Sequence, residues 1–418
     1  MTQRTFGRLV VLLLTLLLAL SGTAQKVKLT IGLPGSASLA SADILEAFIR
    51  DNPDIDVDPL SMDWNDFFNK IAVMLASGTA PDVWYAEAGR ALGWRYNGAT
   101  ADLTPYVERD LNLDHYFFLH AARDPRTGEW TGIPADFQVT ALFYNINHFA
   151  ERGIPFPDDS WDVDMFIDAA KKLTIVKSGA CPERYGFNLQ PTYITTAWML
   201  WPRLLGAPIL NEDRTRSRLT DPATVAAFDF MRSMMHDLQI APIYGGGCGG
   251  YSFTNGGFSM EFHLYSRVQA LATAGMESYD VAPIPKSPTG KRFTTAVPNV
   301  WVINEASPPE VKEAAWRWIK HQISEEAQLL RMASGSGVLV NRRVGSAFLR
   351  IPGPPQHREV FLQSYSFADT LEENAVWSEY RVALQNELND LWRGRITAQT
   401  AALNAHNKVQ AILMQAYP

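Results

Sequence analysis

Val27, Leu29, Ile31 and Leu33 alternate with Lys28, Thr30 and Gly32, the period-two pattern of a strand with one buried face. Pro34-Gly35 ends it. Ile44, Leu45, Phe48 and Ile49 then recur at helical spacing, and Asn52-Pro53 stops that helix before an extended piece from Ile55 to Leu60. Together these predict a β-α-β unit. A second helix runs from about Asp66, with Phe67, Ile71, Met74 and Leu75 on one face, to Ser77-Gly78, where glycine suits a helix end. The next strand is Asp82 to Tyr85. Such alternation predicts a mostly parallel sheet with helices on both faces, and sheets of that kind bind ligands at the carboxyl ends of their strands. The loops after Leu33, Leu60 and Tyr85 are therefore candidate binding loops.

The same grammar returns later, with a strand from Thr140 to Tyr144, a helix through Phe166, Ala169, Ala170 and Leu173, and a long helix from Thr224 to Leu238. It predicts a second α/β lobe. A strand from Val297 to Ile303 precedes a helix opening at Pro308-Pro309 with the stripe Val311, Ala314, Ala315, Trp318, Ile319 and Ile323. The tail from Trp377 to Ala416 is helical by period, with Leu384, Leu388 and Leu391 on one stripe. No internal repeat or low-complexity linker intervenes, so two rigid units joined by short crossovers are expected, with a cleft between them.

The start of the chain has a different character. Arg4 and Arg8 precede an apolar run from Leu9 to Leu20 broken only by Thr15, and Ser21-Gly22-Thr23-Ala24 follows, the pattern of a secretory signal peptide cleaved after Ala24. A spanning helix needs about 20 apolar residues, which this run lacks; an uncleaved anchor is the alternative. A lipoprotein would carry cysteine where Thr23 stands, so the expected product diffuses freely in a periplasm. The roughly 390 residues beyond Ala24 exceed what one hydrophobic core organises. With 47% hydrophobic and 19% charged residues the chain is ordinarily globular, and its net charge of −7 gives no basic footprint for nucleic acid or anionic lipid. Only Cys181 and Cys248 occur, in polar or glycine-rich stretches and without Cys-x-x-Cys spacing. In an oxidising compartment a structural Cys181–Cys248 disulfide is expected, two independent thiols being the alternative.

Several longer stretches carry a family resemblance. They include Ala76-Ser77-Gly78-Thr79-Ala80-Pro81-Asp82-Val83, then Gly132-Ile133-Pro134 followed by Leu142-Phe143-Tyr144-Asn145, and Phe149 through Gly153 to Trp161 and Phe166. Asn255-Gly256-Gly257-Phe258-Ser259-Met260, Tyr279 to Pro285 and Ser334 to Val340 continue the series. In this order and spacing the chain resembles the family 1 extracellular solute-binding proteins of ATP-binding-cassette (ABC) importers, the carbohydrate-binding group that includes maltodextrin-binding protein. The resemblance implies a two-lobed periplasmic-binding-protein fold of type II, a monomer, and a ligand cleft at the hinge. Lobe 1 would comprise residues 25–135 and 299–345, and lobe 2 residues 136–298 and 346–418, with crossovers near Pro134–Gln138, Phe293–Asn299 and Asn341–Arg350. It also implies permease transmembrane subunits as partners and no cofactor.

Carried across residue by residue, the resemblance nominates ligand contacts. Ser36 and Ala37 stand where maltodextrin-binding protein has polar and charged contacts, a departure that argues against maltodextrin itself. Tyr85, Glu87 and Arg90 fall on a ligand-facing loop, and Gln138 falls where the relative has a carboxylate, for which Asp136 is the substitute. Asn188-Leu189-Gln190 with Tyr193, Trp198 and Trp201 resemble the second lobe's aromatic segment, and His263 and Tyr265 occupy the neighbourhood of a family tryptophan. Trp377, with Tyr380 behind it, aligns with a tryptophan on which a sugar ring stacks; Asn299, Trp301 and Trp64 complete the set.

The 12 tryptophans favour carbohydrate, because flat aromatic faces suit the C–H-rich faces of sugar rings while Asp, Glu, Asn and Gln fix the hydroxyls. Trp318 and Trp392, at helical spacing, read as core. The enzyme signatures Gly-x-Ser-x-Gly, Ser-x-x-Lys and His-Glu-x-x-His do not occur, the glycines from 245 to 250 lack the Lys-Ser/Thr of a phosphate loop, and no metal set emerges. The adjacent acids Asp158-Asp159, Glu325-Glu326 and Glu372-Glu373 read as solvated. Glu87 with Asp136 leaves a periplasmic glycosidase open, since that chemistry asks only for two carboxyls about 5 to 9 Å apart. An anionic ligand such as a glycerol phosphate is the other alternative, with Arg90 and Arg203 as its candidate partners. The expected role is capture of a sugar without chemical change.

Overall fold

The structure is a computed structural model that describes residues 26–35, 40–117, 119–176, 181–333 and 340–418. The signal-peptide segment and Ser36 lie outside the described residues. The strands are β1 (Val27–Pro34), β2 (Ile55–Met62), β3 (Val83–Glu87), β4 (Ile133–Asn145), β5 (Tyr185–Asn188), β6 (Phe258–Leu264), β7 (Tyr279–Ala282), β8 (Thr294–Ile303) and β9 (Ala368–Thr370). Among the described residues they run in the order β2-β1-β3-β8-β4-β6-β5, with β7 also on β4 and β9 also on β8.

β1 pairs in parallel with β2 and β3, and the helices Ala42–Asp51 and Trp64–Ser77 are the crossovers that the hydrophobic spacing predicts. Ser41 caps the first of these, its side chain accepting from the Ile44 N–H, and Ile44, Ala47 and Phe48 are the buried face. The rest of the sheet is mixed. β8 runs antiparallel to both β3 and β4, and β4 antiparallel to β6 and β7. The cause is that two long strands serve both lobes: β4 pairs with β8 along Ile133–Val139 and with β6 and β7 along Thr140–Asn145. One strand leaves the first lobe and the other returns to it. Neighbours that do so must be antiparallel.

Two buried clusters pack against the sheet, the first reaching along both halves of β4 from Ile133 to Phe143. The first gathers Leu29, Ile31, Phe48, Ile71, Trp84, Trp301 and Trp318; the second gathers Leu142, Phe166, Trp201, Phe262, Leu388, Trp392 and Leu413. Trp318 meets Phe48 edge-on at 5.2 Å and Trp301 at 5.7 Å, an arrangement aromatic rings favour. Removing one such buried ring costs about 3–5 kcal/mol. The helix Val163–Leu173, capped by Asp162 on the Met165 N–H, buries the predicted stripe Phe166, Ala169, Ala170 and Leu173 in the second cluster. The helices Trp377–Trp392 and Ala398–Ala416 also pack there, so the tail is part of that core. Cys181 and Cys248 form a disulfide. No helix among the described residues is long and apolar enough to cross a membrane.

Candidate functional site

A cavity of about 570 Å³ opens beside the crossing strands β4 and β8. Its walls come from strands and the loops after them: Glu87 at the end of β3, Gln138 on β4, Val297 and Asn299 on β8, Thr192 to Thr195 beyond β5, Leu264 and Ser266 at the end of β6. Trp64, Leu371, Glu373, Trp377 and Arg381 complete it. Gln138 faces Val297 and Asp136 faces Asn299 in the β4–β8 ladder, so these positions share one face of the ribbon. Phe137 takes the opposite face, where it meets Tyr365 at 6.2 Å.

Of the residues nominated from sequence, Trp64, Glu87, Gln138, Tyr193, Asn299 and Trp377 line this cavity together. Trp64 is 42% exposed and stands edge-on to Phe68 and Tyr85. Trp377 is only 3% exposed, and it owes its position to glycine: a Cβ at Gly89 would lie 2.2 Å from its ring. Tyr380 is edge-on to Trp377 at 5.2 Å and donates its hydroxyl to the Glu372 carbonyl, so it supports the ring from behind. Gln138 accepts from the Ser266 N–H at 3.1 Å.

The other nominated residues stand elsewhere. Tyr85 is buried and donates to Asp136 at 2.9 Å; Asp136 also accepts from Asn299 at 3.0 Å and from Arg331 at 3.1 Å. That carboxylate is taken up by a buried network joining β3, β4, β8 and the helix Glu325–Ala333. Trp301 is fully buried between Tyr85 and Trp318. Trp198 and Trp201 are fully buried too, Trp198 donating to Gln385 at 2.6 Å. The Gln190 carbonyl accepts from the Tyr193 N–H at 2.8 Å, which turns the chain so that Tyr193 reaches the cavity. His263 backs Tyr193 with its ring 5.5 Å away, and burial, helped by the nearby Arg267 charge, pushes its pKa down to about 4. It is a neutral imidazole. Tyr265 packs on Phe348 and Phe361 and lines a different cavity.

The candidate cations are already engaged. Arg90 donates to Glu87 at 2.8 Å and lies over the Phe68 ring at 4.8 Å. Arg203 binds Asp369 and the Thr370 carbonyl and lies over Phe293.

The sequence reading missed Thr192, Thr195, Ser266, Arg381 and above all Glu373. Glu372 and Glu373 are not solvated but buried. Glu372 accepts from the backbone N–H groups of Ile209 and Leu210. Glu373 has its pKa pushed up to about 8, chiefly by burial and further by Glu87, against the pull of Arg214, the Gly89 N–H and Arg381. Its carboxyl is therefore neutral near pH 7, offering the cavity both a donor and an acceptor. A signal for Arg381 was present, since it follows Trp377 by one helical turn and shares its face. Among the described residues no cluster of three or more His, Cys, Asp or Glu side chains could hold a metal ion.

A family model described as bacterial extracellular solute-binding protein matches residues 43–342. No curated protein matches the chain. Among solved structures, an ABC substrate-binding protein of Listeria monocytogenes in complex with cycloalternan is 22% identical, covering 93% of this chain and 99% of that one, with a TM-score of 0.81. The cyclic alpha-maltosyl-1,6-maltose binding protein of Arthrobacter globiformis is 17% identical over 93% of this chain and 100% of its own, with a TM-score of 0.78. Maltose-bound MalE3 of T. maritima is 21% identical over 92% and 100%, with a TM-score of 0.73. At these identities the likeness is one of fold.

Proposed function

The chain belongs to the bacterial extracellular solute-binding family, and from that premise we propose that it captures a neutral sugar or short oligosaccharide between its lobes and hands it to the membrane subunits of an ABC importer. The observation that carries this reading is the make-up of the cavity. Aromatic rings of Trp64, Tyr193 and Trp377 share its walls with Gln138, Thr192, Thr195, Asn299 and a protonated Glu373. Apolar ring faces beside a few fixed donors and acceptors suit a polyhydroxylated ring. The solved structures of similar fold with cycloalternan and maltose are in keeping with it.

A phosphorylated polyol would want spare guanidinium or ammonium groups. Arg90 and Arg203 are paired already, which leaves Arg381 as the cation on the cavity wall. Glycoside hydrolysis needs two carboxyls free to act on one bond. Glu87 is held by Arg90 and Asp136 by its buried network, so binding without turnover is the better reading. In this account residues 1–24 direct export and are removed near Ala24, the product works in the periplasm as a monomer, and residues 25–135 with 299–345 close against 136–298 with 346–418.

The test starts from a thermal-shift panel of sugars, polyols and glycerol phosphates, because a ligand that binds only the folded state raises Tm. For the best sugar, Trp377→Ala should weaken binding by about 2–4 kcal/mol in calorimetry, as loss of a central aromatic anchor does. The ligand should also be recovered intact. Unchanged affinity, turnover, or a glycerol phosphate as the best ligand would overturn the proposal.

A further inference from the structure

The family resemblance places Arg90 on a ligand-facing loop, yet Arg90 is not among the residues that line the sugar cavity; Glu87, three positions earlier, is. Glu87 ends β3 opposite Asn299, so the ladder fixes its backbone, and it is also the N-cap of the helix Ala88–Tyr96. A side-chain oxygen at an N-cap commonly accepts an N–H of the first turn. Here it does not. The Gly89 N–H goes to Glu373 instead, and Glu87 turns to Arg90, its Oε2 accepting from Nε at 2.8 Å. Among the described residues its other oxygen, Oε1, makes no hydrogen bond.

Most ion pairs at this helical spacing sit on the surface and contribute little. Arg232 with Asp229 is one: the spacing and the 2.8 Å distance are the same, but the acid's side chain is 56% exposed, against 30% for Glu87, and it is not on the cavity wall. Arg90 differs in being clamped. Its guanidinium lies over the buried Phe68 ring, 4.8 Å from the centroid, and Phe68 is edge-on to Trp64, which is itself on the wall. A planar guanidinium stacked on a fixed ring has few orientations left, and so has the carboxylate it holds. The pair gives the wall an acceptor without net charge, which suits a hydroxyl. Resting on the capture of a sugar argued above, we propose that Arg90 is a positioning residue: braced on Phe68, it holds Glu87 so that Oε1 accepts from a sugar hydroxyl, and it does not touch the sugar itself.

The probe is whichever of glucose, galactose, xylose, trehalose, cellobiose and maltose raises Tm most, titrated by calorimetry into the full protein. Arg90→Gln should weaken its binding about 10-fold and Glu87→Gln about 30-fold, and the double variant should match Glu87→Gln within about 2-fold, because residues that act through one another do not add. Arg90→Lys, which keeps the charge but not the plane, should fall between wild type and Arg90→Gln. Arg232→Gln is the matched control and should leave affinity unchanged. A purely structural role would lower the Tm of the free protein without this coupling. The proposal is overturned if Arg90→Gln binds as wild type does, or if the double variant shows the product of the single losses, about 300-fold, the sign of an independent contact with the sugar. Should Arg90→Gln fail to fold, wild-type affinity in Arg90→Lys overturns it equally. A wild type that binds none of the six sugars removes the sugar reading and this role together, an outcome distinct from either failure of Arg90 alone.

Discussion

Asp136 and Glu373 are buried to the same depth, 5% and 4% exposed, and their surroundings differ. Asp136 sits on the crossing strands with Tyr85, Asn299 and Arg331 all donating to it within 3.1 Å. Glu373 sits at the cavity wall, where Arg214 and Arg381 act on it without forming an ion pair among the described residues, and burial dominates. The first carboxylate is structure. The second, which accepts from the Gly89 N–H, is held protonated at the cavity wall chiefly by burial. Of the acids that the resemblance nominates, Glu87 lines the cavity and Asp136 does not, and Glu373, which the resemblance does not nominate, lines it too.

The largest effect that tests this contrast should come from Arg331→Met. The change strands Asp136 in a dry site with only neutral donors, and breaking a buried pair from one side costs about 3–5 kcal/mol. Urea denaturation measures it. A loss under about 1 kcal/mol would mean that Arg331 is dispensable and that Asp136 is freer than its contacts imply.

Glu373→Gln should come next, and its signature is a pH dependence. The folded pKa of Glu373, about 8, lies above its unfolded value of 4.5. Between those two values the unfolded chain has lost a proton that the folded chain keeps, so this group makes stability fall as pH rises from about 4.5 to 8. Below that window its contribution is fully favourable; above it the loss is complete. The difference in unfolding free energy between wild type and Glu373→Gln should change by roughly 2–4 kcal/mol across the window. A flat difference would place Glu373 in water, as the sequence alone suggests.

The regular elements were legible because each depends on its own residues. The period-two run from Val27 and the helical stripe from Phe166 to Leu173 need no knowledge of what lies opposite. The site was half legible. Gln138, Tyr193 and Trp377 could be nominated through the family resemblance, but depth could not be read. Trp301 and Tyr380 are one layer behind the cavity, a distinction fixed by Trp318 and Glu372 and invisible in local spacing. Asp136 is withdrawn from the cavity by an arginine 195 positions away. The adjacent pair Glu372-Glu373 looks solvated in isolation and is buried only because residues 209–214 and the helix Ala88–Tyr96 close over it. The mixed sheet escaped the pattern for a similar reason, since strand direction depends on which lobe the chain comes from.

That helix supplies the smallest of the expected effects and the most local test of how the Glu373 wall is built. Gly89 and Gly93 lie one turn apart, facing Trp377 and the Ala375 carbonyl; a Cβ would come to 2.2 Å of the ring at Gly89 and 2.8 Å of the oxygen at Gly93. In an exposed helix interior, alanine for glycine gains about 1 kcal/mol through propensity. Here overpacking should outweigh that gain, with a net loss of about 1–2 kcal/mol in stability for Gly89→Ala. Because the displaced group is the cavity tryptophan, sugar affinity should fall with it. Gly247→Ala, where nothing lies within 4 Å, is the matched control and should leave affinity unchanged. If Gly89→Ala binds sugar as wild type does, Trp377 has room to move without consequence, and the wall that holds Glu373 dry is softer than its contacts imply.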